Sequence, residues 1–229
     1  MLATAIGNYN DPVSIGSRLR RRRAGPLAEL IERTHLEKGC CSILDLGGTE
    51  TYWNIFDDRF LRDRNCRITL LNRNKTELRN PAVFKAVVGD ACAVDAADNS
   101  FDIVHSNSVI EHVGNWCRTK AFSREVRRLA PSHFVQTPNF WFPWEPHFGV
   151  PLFQFLPFQM RVSLLLGKKC GFYRRCRSLS EAIESVEEIR LLSRRMMVDL
   201  FPDSQIIHER LFGMTKSFIA IRRKSIDVE

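Results

Sequence analysis

The chain has 229 residues and a mass of 26.5 kDa, 44% hydrophobic and 26% charged, a balance that suits one globular domain and excludes a disordered tail, a collagen-like fibre and a coiled coil. Thirty-four Lys and Arg against 26 Asp and Glu give a formal charge of +8 and a pI of about 9.4. That balance favours anionic partners: phosphate groups, nucleic acid or an acidic membrane surface.

In chain order, residues 1–25 read as a polar, basic leader ending in Arg18, Arg20, Arg21, Arg22 and Arg23, which could hold phosphates or stay solvated. Pro26 then opens a helix, with Leu27, Leu30, Ile31 and Leu36 near helical spacing and Gly39 at its C-cap. Ile43, Leu44 and Leu46 form a short apolar run that stops at a glycine pair, as a buried parallel strand does. TYWNIFDDRFLRD reads as a helix, CRITLLN as a second strand, AVFKAVVGDA as a third, FDIVHSN as a fourth and HFVQTPN as a fifth. Between the last two, AFSREVRRLA carries Phe122, Val126, Leu129 and Ala130 on one helical stripe.

Strands alternating with helices predict a doubly wound α/β sheet with right-handed crossovers and both faces covered. SLSEAIESVEEIRLLSRRMMVDLF reads as a final helix, and SQIIHERLFG with MTKSFIAIRR as a hairpin turning at Gly213. The expectation is a single domain with a seven-stranded, mostly parallel, Rossmann-like sheet that ends in an antiparallel hairpin. Within it, 1–25 is the leader, 40–137 the cofactor-binding core, 138–177 an aromatic and basic lid or substrate insertion, and 178–224 the final helix and hairpin.

Three strand ends carry chemistry. Asp45-Leu46-Gly47-Gly48-Thr49 closes the first strand, where glycines let a ligand approach the backbone at the carboxyl edge of an open sheet. Gly89-Asp90-Ala91 follows the third strand; its carboxylate can accept from an exocyclic amine while neighbouring backbone groups read a base edge. In FDIVHSNSVIEHVG the fourth strand runs into small polar residues and then a helix. Each has a plain reading as turn chemistry, but their order and spacing are not easily accidental.

On ILDLGGTETYW, TLLN, VVGDA, FDIVHSNSVIEHV and SREVRRLA before FVQTPN, the sequence resembles class I S-adenosylmethionine-dependent methyltransferases of the domain 11 or 25 type. The likeness covers about residues 40–139. It implies that Asp45, Gly47, Gly48 and Thr49 form the cofactor turn, with the two glycines against the methionyl part. It also implies that Asn72 faces the ribose, that Asp90 and Ala91 face the adenine, and that Asn107 lies by the reactive side. Two departures stand out. Thr49-Glu50-Thr51 replaces the family's third glycine, and Asn72 replaces the acid that usually grips the ribose, a weaker acceptor than a carboxylate.

Glu145 and His147 flank Pro146 just past the fifth strand, where the resemblance puts the acceptor. They are the candidate proton-accepting pair, with His112 as the reserve. His105, within a strand, reads as structural. No H-x-x-x-H or C-x-x-C spacing appears, so the sequence assigns no metal. The seven cysteines then read as reduced thiols of a cytoplasmic protein. Phe140, Trp141, Phe142, Trp144, Phe148, Phe153, Phe155 and Phe158 precede Lys168, Lys169, Arg174, Arg175 and Arg177. That order suits a packed lid, or peripheral contact with a membrane or an anionic substrate. The resulting expectation is methyl transfer to oxygen of a small-molecule or carrier-linked acceptor. The alternatives are a non-catalytic binding module with a basic partner surface and an RNA methyltransferase; the latter is disfavoured because no RNA-binding signature is present.

Overall fold

The computed structural model describes residues 15–224. The expected start of the leader, residues 1–14, lies outside the described residues, as do the side chains of Arg18, Arg20, Arg21 and Arg22. A long helix α1 (Ile15–Lys38) leads into β1 (Cys41–Leu46), α2 (Glu50–Trp53), α3 (Asp58–Asp63), β2 (Cys66–Asn72), β3 (Phe84–Val88) and β4 (Ile103–Asn107). A 3₁₀ turn (Ile110–His112), α4 (Trp116–Leu129) and β5 (Ser132–Pro138) follow, then the short strands β6 (Trp144–Glu145) and β7 (Val150–Pro151). The chain ends with α5 (Phe158–Gly167), α6 (Leu179–Glu187), α7 (Arg194–Leu200), β8 (Gln205–Leu211) and β9 (Met214–Arg222).

The main sheet has the order β3-β2-β1-β4-β5-β9-β8. Its first five strands are parallel, and β9 is antiparallel to both β5 and β8. The chain winds outward from β1 to β3 and then crosses to β4, so strand order reverses between β1 and β4. In a doubly wound sheet that reversal opens the ligand crevice. Strand alternation sends Ile43, Ile103 and Phe134 to the face covered by α1, and Leu44, Val104 and Val135 to the face covered by α4 and α7. The β8–β9 turn has both Phe212 (φ 51°) and Gly213 (φ 80°) in the left-handed region, the turn that matches the twist of a two-residue hairpin.

Three sequence readings are corrected. Pro26 lies inside α1 rather than at its start. The helix persists because Ala24, Leu27, Leu30 and Ile31 are all buried, which outweighs the one backbone bond that proline cannot donate. The helix expected over 51–63 is two short helices, since Asp57 accepts from the amide of Arg59 and caps α3 anew. The final helix also breaks in two, with Ser178 and Ser193 each capping a separate start. The halves pack differently. Ala182 and Val186 of α6 join Phe148, Phe153, Val162 and Leu165 in a third, smaller core, while Met197 and Leu200 of α7 pack on the sheet. The segment after β5 therefore shares an apolar centre with α6, past residue 177.

Asp102 joins three elements. Its Oδ2 accepts from both the amide (2.8 Å) and the hydroxyl (2.6 Å) of Ser42 at the start of β1, and Lys38 from the last turn of α1 pairs with Oδ1. Burial pushes the carboxyl up, but the Lys38 and Ser42 donors prevail and hold it below its ordinary value. A carboxyl depressed in the folded state adds stability above its unfolded pKa of about 3.9 and loses it as pH falls through the folded value. Asp102→Asn is expected to cost about 1.5 kcal/mol or more near pH 7, with the difference from the parent shrinking below pH ~4. Urea unfolding across pH tests this; a difference constant down to the acid limit would assign the loss to something other than the charge.

Candidate functional site

At the carboxyl ends of β1 and β4, parallel register sets Asp45 opposite His105 on the face that also holds Ile43 and Ile103. Both side chains are fully buried. Asp45 Oδ1 lies 2.7 Å from His105 Nδ1, and Oδ2 accepts from Trp53 Nε1 at 2.8 Å. A buried carboxylate needs such partners to offset its desolvation. The glycine turn packs directly on it: a Cβ on Gly48 would stand 1.7 Å from Asp45 Oδ2, and one on Gly47 (φ +71°) 2.6 Å from Val109. These residues, with Thr49, Tyr52 and Asn107, line a cavity of about 230 Å³. Cavities that enclose a drug-sized ligand span about 300–1,000 Å³, so a nucleoside-bearing molecule seated here would extend out along the sheet edge.

The other residues singled out in the sequence lie along that edge. Asn72, at the end of β2, donates from Nδ2 to the Gly48 carbonyl at 2.9 Å, leaving its side-chain oxygen as an acceptor. Asn107, at the end of β4, has its side-chain oxygen buried and without a partner. Thr49 starts α2 but makes no side-chain cap bond. Asp90 differs from the open acceptor expected. Arg118 Nη2 meets both its oxygens at 2.7 Å and the Cys92 amide donates to Oδ1, and these bonds hold its carboxyl below the usual range. One acceptor position remains on Oδ2. Ala91 follows it, partly buried against the α4 face.

Four residues later than Asn107, the 3₁₀ turn delivers Glu111 and His112, and the β6–β7 ribbon brings Glu145 and His147 to meet them. His147 Nδ1 lies 2.7 Å from Glu145 Oε1, and Glu145 Oε2 accepts from the Phe148 amide. His147 Nε2 faces His112 Nε2 at 3.2 Å. Burial works against the charged imidazole of His147, but the bond to Glu145 and the carboxylates around it hold its pKa above the ordinary value. Burial, helped by the His147 charge, depresses that of His112. Glu111 is wholly buried; Thr137 Oγ1 donates to its Oε2 at 2.9 Å, and burial pushes its pKa up to about 7. Nothing in the local sequence marks Glu111 as an inward-facing carboxylate, so the sequence by itself assigns it no role.

The aromatic segment divides. Phe142, Phe148 and Phe153 are buried, and Phe148 stacks on Phe153 and Tyr173 at 4.1 and 4.7 Å. Trp141, Trp144 and Phe155 remain exposed, as do Lys168, Lys169, Arg174, Arg175 and Arg177. Among the described residues, no helix is long and apolar enough to cross a membrane.

A methyltransferase domain family model matches residues 57–133. That match supports a class I S-adenosylmethionine-dependent methyltransferase. The fold is similar to that of the PH0226 protein of Pyrococcus horikoshii (TM-score 0.51, 15% identity, 94% of each chain covered). It is also similar to that of a possible exported protein of Bordetella parapertussis (TM-score 0.52, 9% identity, 86% of this chain and 67% of the other). A Burkholderia thailandensis 1,6-didemethyltoxoflavin-N1-methyltransferase bound to S-adenosylhomocysteine matches at TM-score 0.48 and 12% identity over 88% of this chain and 79% of its own. At these identities the likeness is one of fold. No curated protein matches the sequence significantly.

The cofactor of this methyltransferase domain is S-adenosylmethionine, and the crevice fits it. The Gly47–Gly48 turn lines the cavity with backbone and would form the cradle, and the unpartnered Asn107 oxygen would offer an acceptor to an ammonium group. Asn72 clasps that cradle through a donor, so Asn72→Asp would set an anion against the Gly48 carbonyl. It is expected to lower the melting midpoint by about 2–4 °C, the loss of about 1 kcal/mol in a chain of this size, whereas an unchanged midpoint would show that the clasp contributes nothing.

Proposed function

We propose that this methyltransferase methylates an oxygen of a small-molecule or carrier-linked acceptor bound at the sheet edge between β4 and β5. The observation that carries the proposal is the Glu145–His147–His112 chain beside the cofactor crevice. A hydroxyl is a weak nucleophile until its proton is shared, and a positioned proton acceptor is worth about 10²–10⁴-fold. A neutral amine presents its lone pair without one. Glu145 accepts from Nδ1 of His147 and thereby turns Nε2 toward His112 Nε2, the chain along which a proton would pass.

When bound, S-adenosylmethionine would supply an electrophilic sulfonium methyl for transfer to a nucleophilic oxygen, with the thioether of S-adenosylhomocysteine as the leaving group. In this reading Asp45 and the Gly47–Gly48 turn hold the methionyl part, with Thr49 at the mouth. Asn107 takes its amino group, the Asn72 oxygen meets a ribose hydroxyl, and Asp90 with Ala91 faces the adenine amine. The chain's main contribution is to fix two reactants in one orientation. The small core under Phe148 and Phe153 supports the reading, since it holds the β6–β7 ribbon rigidly over the edge.

His147→Ala is expected to lower single-turnover transfer at least about 100-fold on a hydroxylated acceptor found with labelled cofactor, with cofactor affinity within about twofold of the parent. Glu145→Gln should lower it less. Parent-like turnover in His147→Ala would remove the proton-accepting role and leave orientation alone.

A further inference from the structure

The Glu111, His112 and His147 side chains point three donor atoms at one spot, all within 4.8 Å of one another. Two features of this arrangement fit a bound ion. The first is the approach of the two imidazoles through the same atom, Nε2 to Nε2, at 3.2 Å. Two nitrogens bound to one tetrahedral zinc ion at about 2.0–2.1 Å stand about 3.3 Å apart. The second is Glu111 Oε1, a buried carboxylate oxygen with no hydrogen-bond partner, 3.9 Å from His147 Nε2. Leaving such an oxygen unsatisfied costs free energy unless something in the cluster meets it.

We infer that Glu111, His112 and His147 form a binding site for one divalent transition-metal ion of the zinc class. Two imidazoles and one carboxylate suit zinc, and they also match the ligand set of non-haem iron sites. Two nitrogen donors disfavour magnesium and calcium, which take oxygen ligands. The surroundings are those of a metal site. Glu145 accepts from the outer nitrogen of His147, fixing the tautomer that presents Nε2, and Thr137 holds the other oxygen of Glu111. A torsion of the Glu111 side chain closes the remaining gap. On binding, the ion displaces the proton shared between the two Nε2 atoms, which leaves to solvent.

Three protein ligands leave a position open. For its role the inference rests on the proposed function: an acceptor oxygen taking that position would ionise more readily, as metal-bound water does, and with the ion in place His147 serves as its ligand rather than as the proton acceptor. The binding of the ion does not depend on that reading.

The test uses the full chain stripped with a chelator, titrated with Zn²⁺ by calorimetry and with Co²⁺ by visible absorption. The expected result is one ion per chain with a Co²⁺ d–d band. Zn²⁺ binding should weaken at least about 100-fold in His112→Ala and in the volume-keeping His112→Gln, and about 10- to 100-fold in Glu145→Gln, the range seen when a supporting carboxylate is lost. His208→Ala, on the distant hairpin, should bind as the parent does. Absence of the Co²⁺ band, or equal Zn²⁺ affinity in the parent and both His112 variants, would overturn the inference. Cofactor calorimetry on the same samples separates the two readings: loss of cofactor binding with intact Zn²⁺ binding would sink methyl transfer and leave the metal site standing.

Discussion

A buried carboxylate at the point where the sheet changes direction sets the terms for everything around it. Asp45 is out of water at the carboxyl end of β1, and two donors from different elements, Trp53 of α2 and His105 of β4, meet its oxygens. Either bond requires the neighbouring element to be in place: α2 must fold back over the sheet, and β4 must pair in the register that sets His105 opposite Asp45. The residue two positions beyond Leu46 must lack a side chain, because the carboxylate occupies the volume a Cβ would need. The glycine turn is therefore shaped from beneath by the carboxylate. The missing third glycine matters less in this light, since Thr49 and Glu50 belong to the start of α2, where side chains fit.

The second organising feature is the division of the chain after β5. A segment that sequence reading treats as a lid is a small apolar unit, built from Phe148, Phe153, Val162 and Leu165 and completed by Ala182 and Val186 of α6. The Gly149 amide bonds the Glu145 carbonyl within the ribbon's own turn, and the Phe172 amide bonds the His147 carbonyl and ties that turn to the segment between Cys170 and Tyr173 of the unit. Glu145 and His147 are thus presented by a packed element rather than a loose loop, and the facing His112 is fixed by the 3₁₀ turn leaving β4. Precision of this kind suits a reaction that depends on orientation.

Both features lie on the same edge. The cofactor crevice opens where β1 and β4 diverge, and the Glu–His cluster stands where β4 and β5 end. The basic side chains from Lys168 to Arg177 flank Cys170 and Cys176 of the small unit and remain solvated.

The sequence alone determined the parallel strands, because apolar runs ending in glycine or small polar residues leave a fully buried strand little choice. It also determined the hairpin, whose Phe212-Gly213 turn has a local signature, and the family, whose motifs recur at strand ends in fixed order. Gly47, Gly48, Asn107, Glu145 and His147 could be singled out because each sits at a strand end or in a rigid dipeptide context. Helix boundaries were less legible: Pro26 is overridden by burial of Leu27 and Ile31, and serine caps at 178 and 193 split a run whose periodicity looked continuous. What only the tertiary structure decided is pairing over distance. Arg118 claims Asp90 across 28 positions, Asp45 reaches His105 across 60, and Glu111 turns inward to meet His147 of a different element. Hydrogen bonds and ion pairs of this kind carry no local pattern, since the partners are set by sheet register and packing, and those exist only once the chain has folded.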